Sequence, residues 1–286
     1  RPAVFVTSYW MTFMAPMMAF WAFFLPRRTK KVAIIHNLVP HEKRFFDGVF
    51  NLIFLRSYDA FVVLSEAVRK DVLQLKPDAK VALLGHPPYE GEAGSISKEE
   101  ARGVLGMDTE KKTILFFGLI RPYKGLSELI AAFSLLDDSY QLLIAGEVYG
   151  TAEFYLEALN ALPNQNWKFV NRYLADAEVD TYFAAADIVV LPYLSATQSG
   201  IRAMALSQKR AVLCTNVGGL AEGLEQEGHG FELQTTAATH FAERVQSLFN
   251  QGDIAKCNAR LAALNLDLDA AWLSFAKGLI HLVEEA

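Results

Sequence analysis

The sequence predicts an α/β fold in two domains, each a parallel sheet flanked by helices, and three observations carry that reading. Short apolar runs bounded by turn residues alternate with stretches at helical spacing along most of the chain, which is the signature of βαβ units. The run Ile114–Ile120 is apolar without alternation, as a strand buried on both faces must be. Between the two series lies Gly85–Ser97, rich in Gly, Pro and acid and without periodicity, which reads as a linker. At 286 residues the chain is long enough for two such domains, though a short allotment for them. We place the boundaries at residues 1–93, 94–265 and 266–286, the last being a C-terminal helix expected to pack back on the first domain.

In the first domain, strands are expected at Ala3–Tyr9, Lys31–His36, Asp59–Leu64 and Lys80–Leu84, with helices at Met11–Leu25, Glu42–Arg56 and Glu66–Leu75. Right-handed crossovers would make this sheet parallel. Only three or four strands are present, so the chain is expected to begin partway through a domain. In the second, strands are expected at Thr113–Ile120, Gln141–Val148, Trp167–Tyr173, Ile188–Pro192, Ala211–Thr215 and Phe231–Gln234. Helices fit at Leu126–Leu136, Ala152–Leu162, Asp176–Ala185, Gly200–Ser207 and Gly219–Glu225, and again through the tail at Ala237–Phe249, Ile254–Leu264 and Leu268–Glu284. Ser97 opens a capping-box pattern with Glu100. Two Rossmann-like domains with a cleft between them is the economical architecture.

Composition excludes several classes. The formal net charge is −5, with a sequence pI near 5.7, which argues against a nucleic-acid partner. Cys214 and Cys257 give no disulfide framework and read as free thiols in a reducing compartment. Pro2–Leu25 holds no charge and by length qualifies as a membrane span. Thr7, Ser8, Thr12 and Pro16 interrupt it, however, and VFVTSYW has strand character, so a strand followed by a buried or interfacial helix is expected instead. A basic start and a small-residue cleavage site are both lacking, which argues against a signal peptide.

The residues with chemistry gather on the turns that follow strands, where open α/β sheets bind ligands. Arg121 and Lys124 stand on the turn after Ile114–Ile120, at the start of a helix, and suit an anion such as phosphate. The strand ending at Pro192 leads into Ser195, Thr197, Gln198, Ser199 and Gly200, hydroxyls and an amide at a helix start that suit a phosphate or ribose, or simple capping. Gly218 and Gly219 let backbone approach a ligand or form an ordinary turn. Glu147 follows Gly146 at another strand end. In the first domain His36 and Asn37 end a strand, and His41 and Glu42 open the next helix. With His86 these form a polar group suited to an acceptor; the tight spacing of a three-His metal site is lacking, and no metal is expected. Asp267 and Asp269 precede the last helix, where capping explains them.

The segments GLIRPYKGLSELIAAF, LLIAGEVY, AAADIVVLPYLSATQSG and TNVGGLAE resemble, in order and spacing, the family 4 glycosyltransferases of GT-B fold, over about Lys111–Gln234. HNLVPHE, DAFVVLSEAV and GHPPY resemble the second half of that family's acceptor domain, with the first strands absent. The resemblance implies a partial N-terminal acceptor-binding domain, a nucleotide-sugar-binding domain, and retaining transfer from a nucleoside-diphosphate sugar to a glycan or lipid-linked acceptor. It implies that Arg121 and Lys124 hold the diphosphate, with His36 near sugar and acceptor. Thr197, Gln198, Ser199 and Gly200 would meet the donor sugar and phosphates, and Tyr173 and Leu174 the base. Gly118, Glu147, Gly218 and Gly219 complete the donor set, and Asn37, His41 and Glu42 the acceptor set. The nucleotide-sugar is a co-substrate, and no cofactor is implied. A cytoplasmic protein in bacterial envelope polysaccharide synthesis is the expected setting, with Trp10–Phe24 suited to lipid at the inner membrane face. One departure stands out: where many members carry Glu-x7-Glu, this chain has Thr197 and Ala205. That leaves two alternatives on the same fold, a non-catalytic donor-binding scaffold and a sugar-nucleotide 2-epimerase. The epimerase needs paired carboxylates, of which only Glu147 is evident.

Overall fold

The structure is a computed structural model that describes residues 2–40, 44–87, 95–265 and 267–286. Its contacts divide the chain into two compact units, Arg1–Pro87 with Ala196–Gln198 and Asp267–Ala286, and Pro88–Ser195 with Ser199–Leu266. The protein is α/β, with a Rossmann-like parallel sheet in each unit.

In the first unit β1 (Val4–Tyr9), α1 (Ala15–Phe24), β2 (Lys30–Ile35), α2 (Asp47–Ser57), β3 (Ala60–Val63), α3 (Glu66–Leu75) and β4 (Lys80–Leu83) follow one another. The strands pair in parallel in the order β1-β2-β3-β4. β3 is buried at every position, which explains its unbroken apolar run. Tyr9 stacks on Phe54 at 3.9 Å between ring centroids, and its hydroxyl donates to Asn51 Oδ1 at 2.5 Å. Asn51 Nδ2 donates in turn to the Leu38 carbonyl at 2.6 Å, so a polar chain runs through this core with its partners made. Ser65 caps α3, its hydroxyl accepting from the Val68 amide.

The second unit runs α4 (Lys98–Leu105), β5 (Lys112–Phe117), α5 (Leu126–Phe133), β6 (Tyr140–Ala145), α6 (Glu153–Asn160), β7 (Trp167–Val170), α7 (Asp176–Ala185), β8 (Ile188–Leu191), α8 (Gly200–Ser207), β9 (Ala211–Thr215), β10 (Gly230–Leu233), α9 (Ala238–Asn250) and α10 (Asp253–Ala263). Its six parallel strands lie in the order β10-β9-β8-β5-β6-β7. The topology reverses beside β5: chain order climbs through β6 and β7 on one side and through β8, β9 and β10 on the other. That is where such sheets open a ligand crevice. The last helix, α11 (Leu268–Glu285), belongs to the first unit and lays Phe275, Leu279, Leu282 and Val283 against Val32 and Val62. Asp267 caps it, accepting from the Ala270 amide at 2.8 Å.

Three expected helices differ. Met11–Leu25 resolves into a short 3-10 turn, Thr12–Met14, and then α1, with Pro16 in its first turn, where a missing N–H costs nothing. The helix expected from Glu42 is observed from Asp47, which accepts from the Arg44 amide at 2.6 Å; His41 and Glu42 lie outside the described residues. Gly219–Glu225 is a succession of turns and not a helix. Gly223 takes positive φ within it, and Gly218 just before it, which a right-handed helix does not accommodate.

At the N-terminal ends of the central strands of the second sheet, Asp187 gathers α4 and β5. Its carboxylate accepts from Lys98 at 2.6 Å, Arg102 at 2.8 Å and the Thr113 amide at 2.7 Å. The Arg102 side chain is 2 % exposed and also donates to the carbonyls of Ala185 and Thr109. Asp187→Ala would leave that guanidinium buried without its counter-charge. We expect a loss of about 3–5 kcal/mol in urea denaturation.

Candidate active site

The candidate site is built on the loops after β5, β6 and β8. Leaving β5, the chain turns at Gly118 (φ 97°), and the Gly118 amide donates to the Ala145 carbonyl. Gly146 (φ 148°) lies against it: a Cβ there would stand 2.1 Å from the Gly118 carbonyl oxygen. The two loops stay joined beyond the strands, through Ile120 to the Glu147 carbonyl and Tyr149 to the Ile120 carbonyl. Pro122–Lys124 then forms a single 3-10 turn, with Arg121 before it and Gly125 (φ 73°) after it, and α5 begins.

This turn is fastened to the end of β8. A Cβ on Gly125 would lie 2.0 Å from the Pro192 carbonyl oxygen, and the Leu194 amide donates to the Tyr123 carbonyl at 2.7 Å. Tyr193 slots beneath, fully buried, with its ring 5.5 Å from Lys124 Nζ. Its backbone carbonyl accepts from the Thr215 hydroxyl, which ties in β9. Burial raises the Tyr193 phenol above its ordinary pKa, and the hydroxyl lacks a partner of ordinary geometry, although Ser199 lies close enough to pull the other way. Ser199 caps α8, accepting from the Arg202 amide, and Gly200 opens the helix.

The two cations are therefore held and not merely present. Lys124 Nζ would stand 3.9 Å from a Cβ on Gly118, so the side chain folds back over the end of β5. Burial, and then the neighbouring Arg121 charge, push its ammonium down to about 8. Among the described residues Lys124 makes no ion pair. Arg121 stacks its guanidinium on the Tyr149 ring at 3.9 Å, which fixes its plane while Tyr149 itself stays exposed.

Of the remaining expected residues, Glu147 is an exposed side chain on the loop after β6, and Gly218 and Gly219 lie on the turns after β9. Tyr173 is 74 % exposed while Leu174 beside it is buried. Their loop is braced by Arg172, which pairs with Glu178 and donates to the Tyr173 carbonyl. That guanidinium and the Ala175 amide hold the Glu178 carboxyl down to about 2. Ala205 is fully buried in α8. Thr197 and Gln198 group with the first unit. There His36 ends β2, its imidazole drawn below the ordinary value by burial and then by His86, with Trp10 edge-on at 6.4 Å. Asn37 has a buried side-chain oxygen without a partner. Tyr149 and Tyr193 were not foreseen from the sequence, because a single aromatic four or two residues past a strand carries no signal of the cation it will meet.

A family model described as "Glycosyl transferases group 1" matches residues 97–262, more than half of the chain. The chain belongs to this family. Among curated relatives it is 26 % identical over 243 residues to TuaC of Bacillus subtilis (strain 168), a glycosyltransferase assigned to teichuronic acid biosynthesis, covering 77 % of this chain and 59 % of that one. It is 28 % identical over 186 residues to the GDP-mannose:glycolipid 4-beta-D-mannosyltransferase of Xanthomonas campestris pv. campestris, covering 65 % and 50 %. The chain thus spans between half and three-fifths of the length of these relatives. Its fold is shared with a sucrose-phosphate synthase from Thermosynechococcus elongatus at a TM-score of 0.78, with 17 % identity, covering 99 % of this chain and 74 % of that one. Anabaena Alr3699/HepE, solved in complex with UDP, matches with a TM-score of 0.76 and 16 % identity, covering 96 % and 79 %. As the GT-B resemblance implied, both sheets find their counterparts among glycosyltransferase structures.

The glycine contacts set an expectation for stability. Gly125→Ala forces both a positive φ and an overlap with the Pro192 carbonyl, and should cost more than about 3 kcal/mol in chemical denaturation. Gly150→Ala, with positive φ but open space around it, should cost only the backbone strain, about 1 kcal/mol.

Proposed function

We propose that the protein moves a sugar from a nucleoside-diphosphate sugar to a glycan or lipid-linked acceptor, with retention of anomeric configuration. The observation that carries this reading is Lys124: an ammonium withdrawn from water beside a second cation, at the topological switch point of a parallel sheet. A diphosphate there would relieve both penalties. Departure of the nucleoside diphosphate builds negative charge on its leaving oxygen, and fixed cations at that position stabilise the transition state more than the ground state. Arg121 and Lys124 would then do the work a metal does elsewhere, so we propose a metal-independent reaction. The complexes of HepE with UDP and with UDP-glucose, on the same fold, support a donor of this class.

The other assignments follow as parts of the proposal. Ser199 and Gly200, at the start of α8, and Thr197 and Gln198 before it would meet the donor sugar and phosphates. Gly118, Gly218 and Gly219 would allow backbone to approach the donor, and Tyr173 and Leu174 would sit by the base. Glu147 would take a donor hydroxyl in place of the carboxylate that Ala205 lacks. His36 would act with Arg121 and Lys124 in catalysis, near sugar and acceptor, and Asn37, His41 and Glu42 would serve the acceptor. One observation favours a second reading, a donor-binding subunit without catalysis: Ala205 is buried with no polar atom to offer a ribose. Donor hydrolysis or transfer above background by the full-length protein would exclude it.

Calorimetric titration with UDP tests the central assignment. Arg121→Ala and Lys124→Ala should each weaken binding about 10- to 100-fold, the loss of one or two charge-assisted hydrogen bonds. Unchanged affinity in both would remove the phosphate assignment. The pH dependence has a definite sign. Because the folded pKa of Lys124 lies below 10.5, the unliganded protein gains stability as pH rises from about 8 toward 10.5. UDP binding needs the charged ammonium and should weaken over the same rise, by up to about tenfold per pH unit. Lys124→Met should flatten that slope.

A further inference from the structure

The second unit holds a cavity at the end of its sheet away from the candidate active site. It measures about 450 Å³ and lies at the N-terminal ends of β5, β8 and β9, walled by the end of α9 and the start of α10. That volume is ordinary for a small-molecule site. Five cations line it, Lys98, Arg102, Lys111, Lys112 and Arg210, against two carboxylates, Asp187 and Glu110. A local excess of positive charge runs against a chain whose net charge is −5. The nearest other acid on α10, Asp253, is engaged by Lys256 at 3.1 Å.

The buried groups on this wall have their hydrogen bonds; what the wall lacks is negative charge. The Asp187 carboxylate is already shared between Lys98, Arg102 and the Thr113 amide. Arg210 donates only to neutral acceptors, through Nε to the Phe183 carbonyl at 2.7 Å, Nη2 to the Ala184 carbonyl at 3.2 Å and Nη1 to the Lys209 carbonyl at 3.2 Å. A guanidinium carries five N–H groups, so Arg210 keeps donors beyond these three. Burial draws it below its ordinary pKa and Arg102 adds to the fall, against the opposite pull of Asp187 and Asp180. Lys111 makes no ion pair among the described residues. Lys112 lies over the Phe249 ring at 5.6 Å, which sets an apolar surface beside the charges. The N-cap of α10, Gly252, has no side chain to offer, so the first-turn amides of Ile254 and Ala255 lack a side-chain cap on the same wall.

We propose that this cavity is a second anion site, which takes a small phosphate monoester with its phosphate among Lys111, Lys98 and Arg210 and its organic body against Phe249 and Ile254. A phosphate monoester carries about −1.5 to −2 near neutral pH, which offsets most of the local excess where a carboxylate would supply a single charge. Its three oxygens accept from several directions at once, as donors arriving from α4, β5, β9 and α10 require. The six residues of β5 hold the cavity about 20 Å from the Lys124 turn, so one phosphate cannot serve both places. The site is argued from the cavity and its charge, and does not rest on the transferase reading. The test is calorimetric titration of the full chain with glycerol 3-phosphate, with glycerol as the uncharged control, in the unmodified protein and in Lys124→Ala. Saturable binding of glycerol 3-phosphate should persist in Lys124→Ala, and glycerol should not bind. Lys111→Ala should weaken that binding about tenfold or more, the loss of one charge-assisted hydrogen bond. Ala255→Glu should abolish it by placing a carboxylate in the cavity. The third residue of a helix favours Glu, so the fold of that variant should survive. UDP affinity and circular dichroism should be unchanged in both variants. Absence of binding by the unmodified chain would overturn the proposal, as would binding lost in Lys124→Ala or equal affinity in Ala255→Glu. UDP titration of the same proteins keeps the two sites apart: failure here with UDP binding intact leaves the donor assignment standing, and loss of UDP binding alone does the reverse.

Discussion

An ammonium that has been pulled out of water organises the second unit. Lys124 lies over the end of β5, against the Tyr193 ring and beside Arg121, and its pKa has fallen to about 8 as a result. A protein does not hold a cation in that state without structure spent on holding it. The structure is visible in the contacts of three glycines. Gly118 and Gly146 bring the ends of β5 and β6 together, and Gly125 lets the lysine turn press on the Pro192 carbonyl. A side chain at Gly125 or Gly146 would occupy space that backbone already fills, and one at Gly118 would press on the Ile201 side chain. The anion site we propose is therefore a property of how three strand ends meet, and the charges are mounted on it.

The two halves of the chain use polar burial differently. In the second unit Asp187 takes three donors at the N-terminal ends of the central strands, a satisfied network that joins helix to strand. At the C-terminal ends of the same strands the polar groups are left wanting: Lys124 has no ion pair among the described residues, and the Tyr193 hydroxyl is buried without a well-formed partner. Satisfied groups at the base and unsatisfied ones at the C-terminal ends of the strands are what a ligand-binding α/β domain requires. In the first unit the imbalance is apolar, with α1 turning its aromatic residues outward.

Much of this was legible in the sequence, for stated physical reasons. The central strands β5, β6 and β8 carry unbroken apolar runs because both faces are covered, and β9, α7 and α8 fall where their patterns placed them. Arg121 and Lys124 were legible because a strand end followed by cations and a helix start is a local pattern. No helix forms at Gly219–Glu225 because Gly223, within the apolar spacing, takes a positive φ that breaks it, as Gly218 does just before. Tyr149 under Arg121 and Tyr193 under Lys124 were not legible, since each contact joins turns from different strands. The orientation of α1 was equally hidden. Almost every residue in it is apolar, so periodicity had no contrast from which to choose a face.

The central claim is that Lys124 is a desolvated cation waiting for a diphosphate. Its side-chain ammonium can be titrated directly by NMR, in the free protein and with UDP bound. Its pKa should lie near 8 in the free protein and rise on binding, as the arriving negative charge stabilises the protonated form. A lysine titrating near 10.5 in the free protein, and unmoved by UDP, would contradict it.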